Sequence, residues 1–429
     1  MANSVNMAKS YDVVIIGAGM AGLSLVHLLR KSIENGLKVA LIERFELPSL
    51  NSDADQPPSF DGRATALSFG TQKIFSQLGI WSQISSAACA IHNIQVSDQG
   101  RFGQTHIKHT DANVESLGYI IRNRALGQGL MANLPSSIDI LAPESVEAID
   151  ISAQQKARLT LAGGNQVAAE LVVMADGGRS DLAQQLGIRQ SKESYKTHAL
   201  VTSVRIDRSH NHWAYERFTE NGPIALLPLA DDEFAVVWTL ADDLIEEYLA
   251  ADESTLISLL QQAFGYRAGR ITAMGERASY PLALVKAQEQ VRPHLVLLGN
   301  AAHSLHPVAG QGFNLALRDA AALAQQINNA FNTDSALGAW PVVQAYYQQQ
   351  QSDQKSTVFG SDVLPKLFSQ KNIALRLRRD ADLIPLTISP TSRKLFTRQA
   401  MGLGQRAAEI ENNQPSAEQT QVQQQEAIS

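Results

Sequence analysis

Three glycines, Gly17, Gly19 and Gly22, follow the continuous apolar run at residues 13–16. An acid, Glu43, closes a second strand-like run at residues 38–42. This spacing has a chemical use. Gly17 permits a tight turn, Gly19 lets backbone approach a pyrophosphate, and Gly22 lets a helix pack close to the preceding strand. The N–H groups and dipole of that helix favour phosphate charge, and Glu43 can accept hydrogen bonds from ribose hydroxyls. A chance glycine cluster in a packed turn is the plain alternative. Strand, helix and acid in their required places weigh against it. The pattern implies a dinucleotide but does not separate FAD from NAD.

Two further stretches bear on that choice. Asp176-Gly177-Gly178-Arg179-Ser180 follows the apolar run 171–174. Gly299-Asn300-Ala301-Ala302-His303 follows the run 295–298 and leads into His306-Pro307-Val308-Ala309-Gly310-Gln311-Gly312-Phe313-Asn314-Leu315. Gly310, Gln311 and Gly312 expose backbone N–H groups at a helix start, suited to electron-rich flavin oxygens and phosphate. The small residues Gly299, Ala301 and Ala302 allow close approach to a flat ring system.

The elements that must position these residues are legible in outline. Residues 11–16 and 38–42 read as buried parallel strands, with a helix over 20–30 between them. Helical patterning is expected again over 64–78 and from Gly312 to about Ala330. Strands are expected at 171–174, 199–204, 224–229, 234–240 and 295–298, with turns at Gly222-Pro223 and Asp231-Asp232. The chain therefore opens in a nucleotide fold, passes into an open sheet, and returns.

Composition fits this reading. The 429 residues are 44% hydrophobic and 18% charged, as in a globular chain, and the length suggests about two or three domains. The net charge of −6 gives no general field for nucleic acid. The single cysteine, Cys89, can form no internal disulfide and no cysteine metal site. No targeting segment is expected, and no run approaches the roughly 18 apolar residues of a membrane span. A cytoplasmic location is expected, or one peripheral on the inner face of the cytoplasmic membrane.

In these motifs and their order the chain resembles the class A FAD-dependent aromatic hydroxylases, over about residues 10–405. Asp61-Gly62-Arg63-Ala64-Thr65-Ala66-Leu67 with Leu78-Gly79-Ile80-Trp81, and the long glycine stretch through Leu315, are similar to the ubiquinone-biosynthesis branch and most of all to its polyprenyl-methoxyphenol hydroxylases. The resemblance implies an α/β fold: a Rossmann-like FAD-binding domain of the glutathione-reductase type, an inserted, mostly β-sheet substrate domain, and a helical C-terminal region. The implied boundaries are 8–92, 115–190 and 286–350 for the FAD-binding domain, and 93–114 with 191–285 for the substrate sheet. A basic helical region follows at 351–411, and 412–429 is expected to be a disordered tail.

By the same resemblance Gly17, Gly19, Gly22 and Glu43 hold the AMP half of FAD, and Arg63 lies near the flavin or its phosphates. Asp176 and Gly177 contact FAD and assist the reduced nicotinamide cofactor. Asn300 faces the ribityl chain. Pro307 through Gly312 line the isoalloxazine ring, and Asn314 belongs to the same motif. The wider family has Asp at position 300; Asn keeps an acceptor oxygen and loses the charge. Arginines usual near 349 and 350 are Gln349 and Gln350 here. The implied reaction is hydroxylation of a polyprenyl-methoxyphenol ring with NAD(P)H and O2, through a C4a-hydroperoxyflavin. The flavin carries the chemistry, and the sequence assigns no catalytic acid or base. A sister hydroxylase acting at another ring position, a soluble aromatic hydroxylase, and a non-catalytic flavin-binding accessory subunit are the alternatives.

Three features remain. His303 and His306 lack a third ligand nearby, so a packing or polar role is expected and no metal. Trp213, Tyr215, Phe218 and Trp238 could line a substrate cavity or simply form core. Residues 355–406 carry ten Lys/Arg against three Asp, interleaved with apolar residues. Such a segment suits an anionic membrane surface, other ubiquinone-biosynthesis proteins as partners, or a solvated helical face.

Overall fold

The computed structural model describes residues 9–47, 63–99, 104–152, 156–305 and 310–369. Asp61, Gly62, His306, Pro307, most of the basic segment and the tail expected at 412–429 lie outside the described residues.

Alternation along the first strand, Lys9–Ile16, explains the central layer. Val13 and Ile15 pack into one buried cluster with helix Met20–Leu28, while Val14 and Ile16 pack into another on the opposite face. A strand buried on both sides needs this unbroken apolar run. The eight-stranded sheet runs Val291–Arg292, Leu295–Leu297, Gln166–Met174, Lys9–Ile16, Val39–Ile42 and Asp139–Leu141. Ala157–Leu161 and Val146–Asp150 form an antiparallel extension beside Gln166–Met174. The middle of the sheet is parallel, and Ile16 is in register with both Ile42 and Met174, and Met174 with Leu297. Four strands thus end on one line, so the loops after them open at one edge.

Residues 64–78 depart from the helical expectation: Ala64–Ser68 is a strand, and only Phe69–Gln77 is helical. The strand is held in antiparallel register with Gly118–Arg122, a partner that local periodicity cannot reveal. The long helix runs Gln311–Asn332 and packs on both Met20–Leu28 and the helix Trp340–Ser369.

The second large sheet has nine strands, ordered His303–Ser304, Ala278–Ala287, Gln190–Ile206, Glu233–Ala241, Gly222–Pro228, Trp213–Thr219, Asn93–Asp98 and Gln104–Lys108, with Ile271–Met274 beside Gln190–Ile206. The turn expected at Gly222-Pro223 falls one pair earlier, because Gly222 and Pro223 already pair with Thr219 and Phe218. One face of this sheet is covered by helix Glu253–Phe264, through Leu256, Leu260 and Phe264 against Leu226, Val236 and Trp238. Its other face is open to the site.

Candidate functional site

At the shared edge of the parallel strands, backbone meets backbone. Gly17 has φ +105°, and a Cβ there would lie 2.6 Å from the Ala175 carbonyl oxygen. A Cβ on Gly22 would lie 2.0 Å from the Gly17 oxygen, so only glycine lets the helix sit this close to the turn. Glu43 reaches across from the next strand: its Oε2 accepts the Ala18 N–H at 2.7 Å and its Oε1 the Phe45 N–H at 3.1 Å. Asp176 organises the third loop by accepting the N–H groups of Gly178 and Ser180 and the Ser180 hydroxyl.

The last motif enters from the long helix. Gly310 is its N-cap in the left-handed region, φ +61°, and a Cβ would lie 2.7 Å from that of Ala66. Asn314 is 1% exposed and fully engaged. Its Nδ2 donates to the Ala66 and Gly310 carbonyls, both at 2.8 Å. Its Oδ1 accepts the Ser68 N–H at 2.8 Å and the Thr71 hydroxyl at 2.7 Å. Asn314 therefore clamps the glycine loop to strand Ala64–Ser68.

These loops bound a cavity of about 790 Å³, within the size range of cofactor sites. Gly17, Gly19, Glu43, Arg63, Asp176, Gly177, Asn300, Gly310 and Gly312 line it, whereas Gly22, Gln311 and Asn314 stand behind the wall. The Arg63 guanidinium lies over the Tyr280 ring, 4.5 Å from its centroid. From the far side the open sheet face contributes Glu216, Ala225, Leu227 and Val237. None of Trp213, Tyr215, Phe218 or Trp238 reaches the cavity. Trp238 is 2% exposed and stacks edge-on with Tyr248 behind the sheet, and Tyr215 does the same with Phe264. Phe218 and Trp238 are core, Tyr215 packs partly buried against the same cluster as Trp238, and Trp213 stacks on Tyr215.

The donor set suits FAD. Two helix N-termini, at Gly19 and Gly310, open on one cavity, and neither has a side-chain cap or an acid in its first turn. The partial positive charge of those helix starts suits phosphate and flavin oxygens. A Cβ on Gly312 would meet nothing within 4 Å, so that position faces open space where a flat ring can lie against backbone.

Glu216 was not visible as a site residue. It is half-buried, and removal of its carboxyl from water pushes its pKa up to about 7. The only sequence signal was an acid in the middle of an aromatic-rich strand.

His303 is 2% exposed and its Nε2 lies 2.8 Å from Oδ2 of the buried Asp319; it is a buried polar contact. Among the described residues, Cys89, His210 and His212 gather within 4.8 Å of one another. His212 Nδ1 lies 3.0 Å from the Ala90 carbonyl, and His210 Nδ1 accepts the His212 N–H at 3.0 Å. Burial pushes the Cys89 thiol up to about 11. With the Nδ1 atom of each histidine engaged inside the chain, the trio packs as a polar cluster beside strand Ala88–Ile91.

Comparison with known proteins agrees with the geometry. The FAD binding domain family matches residues 10–337. The ubiquinone hydroxylase UbiL of Rhodospirillum rubrum is 32% identical over 398 residues, covering 92% of this chain and 90% of its own. The 3-demethoxyubiquinol 3-hydroxylase of Escherichia coli is 28% identical over 396 residues, 91% of this chain and 98% of that protein. The crystal structure of p-nitrophenol 4-monooxygenase PnpA from Pseudomonas putida shares the fold, with TM-score 0.76 at 17% identity over 93% of this chain and 99% of that one.

Proposed function

The chain belongs to the FAD binding domain family, and from that premise we propose that it is an FAD-dependent monooxygenase that hydroxylates the ring of a ubiquinone precursor, using NAD(P)H and O2. One observation carries the reading: three motifs far apart in sequence converge on a single cavity whose opposite wall is the apolar face of a second sheet. A nucleotide-only site has no need of that second wall. The substrate we propose is a polyprenyl-methoxyphenol.

Bound FAD would supply the hydride acceptance and oxygen activation that side chains cannot. The residues do the rest. Gly17, Gly19 and the start of helix Met20–Leu28 bind the pyrophosphate, and Glu43, while holding the turn through Ala18, accepts from the ribose. Asp176 fixes the loop that faces the cofactor, and Asn300 meets its ribityl chain. Gly310 and Gly312 present backbone N–H groups to the ring, and Asn314 keeps that loop in place. Ala225, Leu227 and Val237 exclude water and seat the phenol.

A polyprenyl chain is soluble only in lipid, so a membrane-surface role for 355–406 accompanies this proposal. No helix among the described residues is long and apolar enough to cross a membrane.

The test is a mass-spectrometric profile of quinone precursors in cells lacking the protein. A polyprenyl-methoxyphenol should accumulate and be cleared by the wild-type gene but not by Gly310→Trp. Accumulation of a later, already oxidised intermediate would move the assignment to a sister hydroxylase. An unchanged profile, or a purified protein that takes up no FAD, would end the reading.

A further inference from the structure

Glu216 stands in a row of cross-strand neighbours with no charge among them. It is in register with Ala225 on one side and Val96 on the other, and Ala225 is in register with Val237, which faces Val201. Ala225 and Val237 share the cavity wall with it. Its own strand neighbours point the other way: Tyr215 packs against Phe264, and the Arg217 Nε donates to the Ala263 carbonyl at 3.2 Å, both on the helix side.

The strands beside Glu216 carry few charged groups. Strand Gly222–Pro228 carries no titratable side chain. Asp98 lies at the end of Asn93–Asp98, in register with Phe218, and Glu233 of the next strand is paired with Arg122 at 2.6 Å. The nucleotide side of the cavity brings the cations Arg44, Arg63 and Arg179 and the acids Glu144, Glu147 and Asp181, besides Glu43 and Asp176, which accept backbone N–H groups. No hydrogen bond or ion pair engages the Glu216 carboxylate among the described residues. It is the single acid that the open sheet face gives to the cavity.

We propose that Glu216 is the catalytic base that accepts the proton of the substrate's ring hydroxyl. This rests on the ring-hydroxylase reading. As the phenol O–H bond breaks, the proton moves to a Glu216 oxygen and the electron pair stays on the phenol oxygen, which enriches the ring carbons for attack on an electrophilic oxygen. No electrons are exchanged in this step. When the hydroxylated carbon later sheds its own proton, the carboxylic acid returns its proton to the ring oxygen, and the base is regenerated. A carboxylate kept from water among apolar side chains is basic enough to do this near neutrality, where an ordinary glutamate is a poor acceptor.

The experiment compares wild-type holoenzyme with Glu216→Gln, using 2-methoxy-6-prenylphenol as the probe. In the wild type, kcat should rise through an apparent pKa near 7. The variant should keep its FAD content and its KM, lose about 100-fold in kcat at neutral pH, as for loss of a general base, and show no limb near 7. Its rate should recover as the free phenol ionises, at about pH 10. In parallel, infrared difference spectra should show a carboxylic-acid C=O band titrating near pH 7 in the wild type and absent from the variant. An unchanged pH profile in the variant overturns the proposal. So does a variant that has lost FAD, since Glu216 would then serve the cofactor. A wild-type holoenzyme that is yellow yet oxidises no phenol takes down the functional reading as well, and is recognised before any variant is made.

Discussion

Gly17 and Ala175 touch backbone to backbone: the missing Cβ of Gly17 would sit 2.6 Å from the Ala175 carbonyl oxygen. The Ala175 N–H in turn donates to the Ile16 carbonyl at 2.8 Å. The first glycine turn and the Asp176 loop are therefore one construction, although about 160 residues separate them. Gly17→Ala must shift the Asp176 loop while holding a left-handed φ. Strain of that kind costs about 1–3 kcal/mol before the overlap is counted. The variant should melt several degrees lower and be isolated with little FAD. Unchanged melting and full flavin absorbance would show that the two loops yield independently.

Asn314 makes four hydrogen bonds from a buried position and leaves no donor or acceptor for cofactor. Asn314→Ala strands the Ser68 N–H and the Ala66 and Gly310 carbonyls, and each stranded buried group costs about 1–3 kcal/mol. Asn314→Asp keeps the acceptor but loses both donors, so it should also release Gly310. Both variants are expected to lower stability in urea and to weaken FAD binding. Weaker FAD binding at unchanged stability would instead make Asn314 a direct cofactor ligand.

What could be read beforehand divides along a physical line. The β-branched runs, the glycine turns and Glu43 state local requirements, so their elements and the shared nucleotide edge were legible. Strand Ala64–Ser68 was not, because its state is decided by pairing with Gly118–Arg122. Nor was Glu216. Alternation along Trp213–Thr219 says that Glu216 and Tyr215 point to opposite faces. It does not say which face a helix covers and which faces the cavity. The aromatics left cavity and core both open, and Tyr215 and Trp238 lie under helix Glu253–Phe264. Asn314 shows the reverse case: its motif was plain, but only the packing shows that it serves the loop.

His303 and Asp319 form a buried pair, 2% and 0% exposed, with Gln354 Nε2 also donating to the Asp319 Oδ2 at 3.1 Å. Asp319→Leu leaves both donors without an acceptor and should cost about 3–5 kcal/mol, as for breaking a buried pair. Asp319→Asn keeps an acceptor oxygen and should cost far less. Strand His303–Ser304 would shift with the first change, and Ser304 lines the cavity, so FAD affinity should follow the same order. Urea unfolding and flavin titration of both variants check the ranking; equal effects would remove the hydrogen bonds from the explanation.

Glu216 also makes a prediction about stability, of opposite sign to the usual carboxylate. Its folded pKa is raised to about 7, against about 4.3 for an unfolded glutamate. Between those values the folded chain binds a proton that the unfolded chain does not, so stability falls as pH rises across this window and stays lower above it. Because the side chain keeps part of its surface, the loss is on the order of 1–3 kcal/mol rather than the full value of the shift. Glu216→Gln removes the titrating group. The variant should match the wild type at about pH 4 and unfold at higher denaturant above about pH 7, the same range in which the inferred base is active. Denaturation of the holoenzymes from about pH 4 to 8.5 measures the difference, and parallel curves for the two proteins would mean that Glu216 is solvated like any surface acid.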